Sequence, residues 1–245
     1  MTAARTLLAI ETSGRSLGVA LRIENELVFE ENVIAGSIHG RALAPLTDKA
    51  LRTHGIKPAA LGAIAVSQGP GSWTGLRIGI SFAKALAWGA GVPLMGVSSF
   101  EALAFHAAQL APGAARLTLR DARSEGFFCA LFDETRQPAQ RWIKDSVLKL
   151  PDCLLAVEEA LAARAANVPL AVCGDKVCLD AVAEHANQKG WRLLYECEHI
   201  PAAAVAACGW DSFLRGEMCT TDAGKHKLAP LYLRASDPEL KLIRK

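Results

Sequence analysis

The chain has 245 residues, 51% of them hydrophobic, and a formal net charge of +2. That length admits one large domain or two smaller ones with a real core, and the near-neutral balance gives no global pull toward nucleic acid. No apolar run reaches the length of a membrane span, and Leu7–Ile10 is too short for a secretory leader, so a soluble cytoplasmic protein is expected. Seven cysteines, at 129, 153, 173, 178, 197, 208 and 219, form no Cys-x-x-Cys pair and sit mostly in apolar runs. They read as reduced, small core residues.

In chain order, Leu7–Glu11 reads as a first strand, 12–17 as a polar turn, Gly18–Ile23 as a second strand and Leu27–Ile34 as a third, an antiparallel meander. Gly36–Gly40 reads as a loop. A helix is expected over Arg41–His54, with Leu43, Leu46, Ala50 and Leu51 at helical spacing, and Pro45 in its first turn or kinking it. The apolar run 63–67 predicts a buried strand that leads into Gly69-Pro70-Gly71-Ser72-Trp73-Thr74-Gly75. Glycine and proline break the chain there, and Ser72 or Thr74 can cap the helix expected over Thr74–Trp88. The loop has two readings: a phosphate cradle at a helix start, or a tight strand-to-helix turn. It lacks the Lys-Ser/Thr of a P-loop and does not fit the dinucleotide fingerprint. The helix is apolar almost all round, with Arg77 and Lys84 its charged residues and small residues at Gly75, Gly79, Ala83 and Ala87. Such a row lies on an i±4 ridge that lets another helix come close. Val92–Val97 reads as a strand and Ser99–Leu110 as a helix.

The second half restarts this pattern. Leu117–Leu119 reads as a strand, 121–126 as a polar turn and Phe127–Phe132 as a strand; shifted by 110 residues, Glu11 lies over Asp121 and Ala20-Leu21 over Ala130-Leu131. Strands over 141–147, 170–173 and 193–195 then alternate with helices over 154–166, 177–188 and 202–214. The boundary between two similar subdomains is expected at 110/111, giving 1–110 and 111–245. Alternating strands and helices after each meander imply parallel pairing in α/β sheets.

A duplicated β-β-β-α-β-α plan with acidic hairpin turns is that of the actin-like ATPase and sugar-kinase superfamily. Leu8-Ala9-Ile10-Glu11-Thr12-Ser13, the block Gly69–Gly79, Asp121-Ala122-Arg123 and Pro230-Leu231-Tyr232-Leu233-Arg234 together resemble the bacterial TsaB (YeaZ) family, in the right order across residues 8–234. The resemblance implies an actin-like fold without full catalytic equipment. It implies partnership with the catalytic paralogue TsaD and the ATPase TsaE, in the assembly that forms N6-threonylcarbamoyladenosine at position 37 of tRNA. It further implies a dimerisation and scaffold role, with a homodimer when TsaD is absent, tRNA met only through the complex, no membrane and no cofactor. The helices 41–54 and 74–88 then form the contact, through Leu43, Leu46, Gly75, Leu76, Gly79, Ile80, Ala83 and Ala87. The resemblance also implies a degenerate nucleotide site at Glu11, Thr12, Ser13, Asp121 and Gly174, while Glu11 and Asp121 read equally well as strand-end turn formers.

Departures from the catalytic pattern agree with that implication. His39 has Leu43, not a second histidine, one turn on, and Gly14-Arg15 replaces the acid pair of the paralogue's first turn, removing a magnesium site. Gly126-Phe127-Phe128 stands where the family has Glu-Val-Tyr, and Trp73 where it has Phe. Trp142, Trp191 and Trp210 are scattered without a basic stripe to stack on single-stranded RNA. The alternative function is an independent ATP-dependent phosphotransferase of the sugar-kinase type, with Glu11 and Asp121 as its acidic groups. A metalloprotease is disfavoured, because no His-Glu-x-x-His occurs.

Overall fold

In the computed structural model, residues 5–34, 39–134, 139–164, 168–217 and 227–233 are described. The first half gives strands β1 (Thr6–Glu11), β2 (Ser16–Ile23) and β3 (Glu26–Ile34), helix α1 (His39–Thr53), β4 (Ala63–Gly69), α2 (Trp73–Ala90), β5 (Leu94–Ser98) and α3 (Ser99–Leu110). The second half repeats the order with β6 (Ala115–Asp121), β7 (Phe127–Phe132), β8 (Arg141–Leu148), α4 (Leu150–Ala162), β9 (Leu170–Gly174), α5 (Lys176–Lys189), β10 (Arg192–Leu194) and α6 (Ala202–Leu214). Each meander closes a five-stranded sheet of the same plan, β3-β2-β1-β4-β5 and β10-β9-β6-β7-β8, with β4 parallel to β1 and β9 parallel to β6. The duplication seen in the sequence is therefore a duplication of topology. Its two hairpins differ by one residue: Glu11 pairs with Gly18, whereas Asp121 pairs with Phe127.

Several element bounds move for simple reasons. Helix α1 starts at His39, inside the expected loop; 35–38 lie outside the described residues, and Pro45 falls past the first turn. Helix α4 starts at Leu150, four residues early, because Pro151 fits a first turn, where its missing N–H has no partner to lose. Residues 165–167 of the expected helix lie outside the described residues. Tyr195 belongs to a short 3-10 turn after β10, and β6 is longer than expected, running from Ala115 to Asp121.

The compact units do not follow the repeat boundary. One comprises 1–102 with 200–231, the other 103–199 with 232–245, so α6 belongs with the first sheet although it lies in the second half of the sequence. In the first unit α6 packs across β1, β2 and β4, and Gly209 lets it approach until a β-carbon there would stand 2.6 Å from Ala65 Cβ. Pro201 at its N-terminus offers no side-chain cap. The cap comes instead from β3: Asn32 Oδ1 accepts from Ala202 N at 3.0 Å and Glu30 Oε1 from Ala203 N at 2.9 Å. These bonds satisfy donors that a helix start leaves open. Asn32→Ala is expected to cost about 0.5–2 kcal/mol, the usual worth of an N-cap, read as a lower urea midpoint with unchanged slope.

In the second unit the core between its sheet and α4 and α5 holds Leu117, Leu131, Val157, Val172 and Val182, with three thiols, Cys129, Cys153 and Cys178. All six cysteines among the described residues are free and buried; Cys219 lies outside them. Burial pushes the Cys197 thiol up to about 12, with the Glu196 charge adding to it, and raises Cys173 in the same way. They are packing residues held protonated.

Candidate functional site

The first hairpin turn is closed by its own atoms. Glu11 is 1% exposed, and its Oε1 accepts from Ser13 N and from Ser13 Oγ, each at 2.5 Å. Thr12 N donates to Ser67 Oγ at 3.2 Å, and Thr12 and Ser13 are fully buried. The glycine loop then seals the turn from above, with Ser72 N donating to Ser13 O at 2.7 Å. Gly71 and Gly75 are required there, because a β-carbon at either would overlap the main-chain oxygen of Ser13 or Thr12.

This settles the two readings of the loop. Ser72 caps α2 by accepting from Gly75 N at 3.2 Å, and its own N–H is given to Ser13, so these early donors serve the fold and not an anion. The loop is a tight strand-to-helix turn, with a cis peptide at Gly69–Pro70. A Glu11→Gln variant keeps the acceptor and removes the charge, so it is expected to lose about 1–2 kcal/mol of stability, as charge-assisted bonds become neutral ones. Its activity in any partner assay should match the wild type. A folded Glu11→Gln chain that has lost function would give this carboxylate a chemical role.

In the second unit, Asp121 and Gly174-Asp175 are brought together. Asp175 Oδ2 accepts from Asp121 N at 3.0 Å and its other oxygen lies 3.4 Å from Arg120 Nη1. Asp121 turns its carboxylate onto its own turn, accepting from Arg123 N at 2.7 Å, with the Arg123 guanidinium at 3.5 Å. Arg123 adopts φ +61, a left-handed conformation uncommon outside glycine, and the Asp121 bonds brace it. Gly174, at φ +144, admits β9 against Leu119 O, where a β-carbon would collide. As in the first turn, the acidic group and the glycine carry structural duties. Among the described residues no three His, Cys, Asp or Glu side chains come together with metal-ligand placement.

The contact residues expected on α1 and α2 require a correction. Leu43, Leu46, Gly75, Leu76, Gly79, Ile80, Ala83 and Ala87 are all buried within the chain itself, none above 6% exposure among the non-glycines. The two glycines of the row face the first turn, where a β-carbon on Gly75 would overlap Thr12 O and one on Gly79 the Thr12 hydroxyl, and α2 packs on β4 with α1 beside it in the same unit. A helix laid on a sheet needs small residues for close approach just as a helix pair does, and sequence spacing does not separate the two.

The outward face of α2 is a different stripe. It presents Thr74, Arg77, Ser81, Ala85 and Trp88, with Ile78, Phe82 and Leu86 half-buried at its side. Trp88 is 69% exposed, an unusual placement for so large an apolar surface. Arg77 lies 4.4 Å above the Trp73 ring, one turn earlier on the same face. On α1 the exposed residues are Gly40, Arg41, Ala44, Pro45, Asp48, Lys49, Arg52 and Thr53. The sequence signal for this stripe was present in Trp88, an aromatic next to a helix end with Gly89 and Gly91 beside it. By contrast Trp142, Trp191 and Trp210 are each engaged by a cation or ring: Arg164 at 4.1 Å, His185 at 5.1 Å and Arg22 at 5.0 Å.

Known proteins resemble this chain along its length. The family model described as TsaD: tRNA N6-adenosine threonylcarbamoyltransferase matches residues 33–234. The tRNA threonylcarbamoyladenosine biosynthesis protein TsaB of Bacillus subtilis (strain 168) is 29% identical over 97% of this chain and 98% of its own. The tRNA N6-adenosine threonylcarbamoyltransferase of Nitratidesulfovibrio vulgaris (strain DP4) is 36% identical over 44% of this chain, a stretch that covers 33% of that enzyme. A crystal structure from Pseudomonas aeruginosa, of a protein described as similar to peptidase YeaZ, superposes with a TM-score of 0.77 at 24% identity, over 94% of this chain and 100% of its own. The fold is accordingly shared with that structure, its α/β sheet plan occurring twice along the chain. The chain belongs to the family of the tRNA N6-adenosine threonylcarbamoyltransferases, TsaD, and its full-length likeness is to the members named TsaB, or YeaZ.

Proposed function

We propose that this chain takes part in threonylcarbamoyladenosine formation at position 37 of tRNA as a TsaB-type subunit, without catalysis of its own, by docking on and activating a TsaD-type catalytic subunit. The names of its relatives support the pathway. The observation that carries the scaffold role is the contrast between the turns and α2. Glu11 Oε1 and the Asp121 and Asp175 carboxylates accept bonds from the chain's own loops. The outer face of α2, in contrast, leaves Trp88 and its neighbours to solvent. An exposed aromatic beside half-buried aliphatics and a stacked arginine has the composition of an interface centre.

In this reading the same face pairs two copies when the partner is absent, TsaE joins through the assembly, tRNA is met through the complex, and the work is done in the cytoplasm. The test is reconstitution with the TsaD of the same organism, followed by size exclusion and by measurement of threonylcarbamoyladenosine on tRNA. A co-eluting complex and faster modification are expected. Absence of a complex, or turnover of ATP with magnesium by the isolated chain, would overturn the reading in favour of nothing more than a shared fold or of a phosphotransferase.

A further inference from the structure

The Pro230-Leu231 segment near the end of the chain has no part in the docking reading, yet it is firmly seated in the first unit. Leu228 is 7% exposed and belongs to the core that also holds Ile64, Val66 and Leu94. It fits because position 96 is glycine: a β-carbon there would stand 2.7 Å from Leu228 Cδ1. Gln68 grips the segment twice, its Nε2 donating to Ala229 O at 2.8 Å and its main-chain oxygen accepting from Leu231 N at 2.7 Å.

The grip is possible because β4 and β5 fall out of register at this point. Ser67 pairs with Val97 and Gly69 with Ser98, so Gln68 is passed over and its main-chain oxygen is left for Leu231. The contact falls on Gln68 and Gly69, the last two residues of β4, with three residues between them and the start of α2. The connection between them has little slack, since Gly69 N is held by Ser99 Oγ at 3.1 Å and Ser72 N by Ser13 O at 2.7 Å. A displacement of Gln68 and Gly69 is therefore passed to the first turn of the helix.

We infer that residues 228–231 act as a clip that fixes the entry of α2, so that the end of the chain governs the helix whose outer face docks the partner. The docking half of this rests on the proposed function; the conformational half stands alone. Two variants open the clip from opposite sides. Leu228→Ala removes its anchor, and Gly96→Ala wedges a methyl against the anchor and the Gln68 side chain without changing any residue of the segment. Neither position faces the outer stripe of α2.

Hydrogen exchange on the full-length chain reads the result. Both variants are expected to speed amide exchange over 69–79 by about tenfold, while α1 and β2 keep wild-type protection. Binding to the TsaD-type partner should weaken in both, and Trp88→Glu should weaken it as well but leave exchange over 69–79 unchanged. Wild-type protection over 69–79 in both variants, or an increase spread evenly over the unit, would overturn the clip and leave Leu228 as an ordinary core residue. If the wild-type chain fails to bind the partner, the docking reading falls, and the exchange comparison still decides the clip.

Discussion

Replacing Gly79 with arginine is expected to unfold the first unit, not merely to separate it from a partner. Gly79 sits on the inner side of α2, where a β-carbon would overlap the Thr12 hydroxyl and crowd its Cβ and Cγ2. Thr12 cannot withdraw, because it is fully buried and its N–H is held by Ser67. An arginine there must force a long charged side chain into the closed first turn, or lever the helix off β4. Either route costs about 4 kcal/mol or more, the range reserved for severe core disruption. Even Gly79→Ala should lose about 1–3 kcal/mol by overpacking. Far-ultraviolet circular dichroism and urea denaturation check this. The control is Ser81→Arg, two residues on and exposed, which should fold normally. A Gly79→Arg chain with a wild-type unfolding midpoint would show that the helix has a freedom the packing denies.

The second large effect is on binding. Trp88→Glu combined with Ala85→Arg places two charges on the exposed stripe of α2, one turn apart, without touching the core. Stability should stay within about 0.5 kcal/mol of wild type, as for surface changes away from caps and packing. Affinity for the TsaD-type partner should fall by about a hundredfold, the loss that goes with removing one central aromatic of an interface and desolvating charges in its place. Calorimetric titration gives the affinity and urea denaturation the stability, on the same preparation. Unchanged affinity would move the docking face away from α2 altogether. The pairing of a silent stability effect with a large binding effect here, and the reverse at Gly79, separates the two faces of one helix.

Much of the architecture was legible in the amino-acid order. Leu7–Glu11 and Phe127–Phe132 are near-continuous apolar runs next to turn residues, and such runs are strands. The 110-residue echo of Glu11 in Asp121 announced the duplicated sheets. What escaped was which side of α2 faces where. Gly75, Gly79, Ala83 and Ala87 mark a close approach, but spacing alone does not say whether the neighbour is a strand end or another helix. Contact with Thr12, more than sixty residues earlier, settles it. The acidic turns were visible too, but not that Glu11 would be spent on Ser13 and Asp121 on Arg123, since both bonds depend on the backbone path of the turn. The capping of α6 by Asn32 and Glu30 spans some 170 positions and leaves no local signature.

That last arrangement bears on how the chain is made. The back of the first sheet, along β1, β2 and β4, is covered by a helix that ends at Leu214, and its clip lies further on still. While the ribosome works through the intervening hundred or so residues, at about 5–20 residues per second, this apolar surface is without its cover for roughly ten seconds. All the strands of the second sheet lie within 103–199 and are made before α6 emerges. The sheet that is translated first thus receives its covering helix only after the strands of the second sheet have been made, and a nascent-chain chaperone would find its target on the N-terminal sheet.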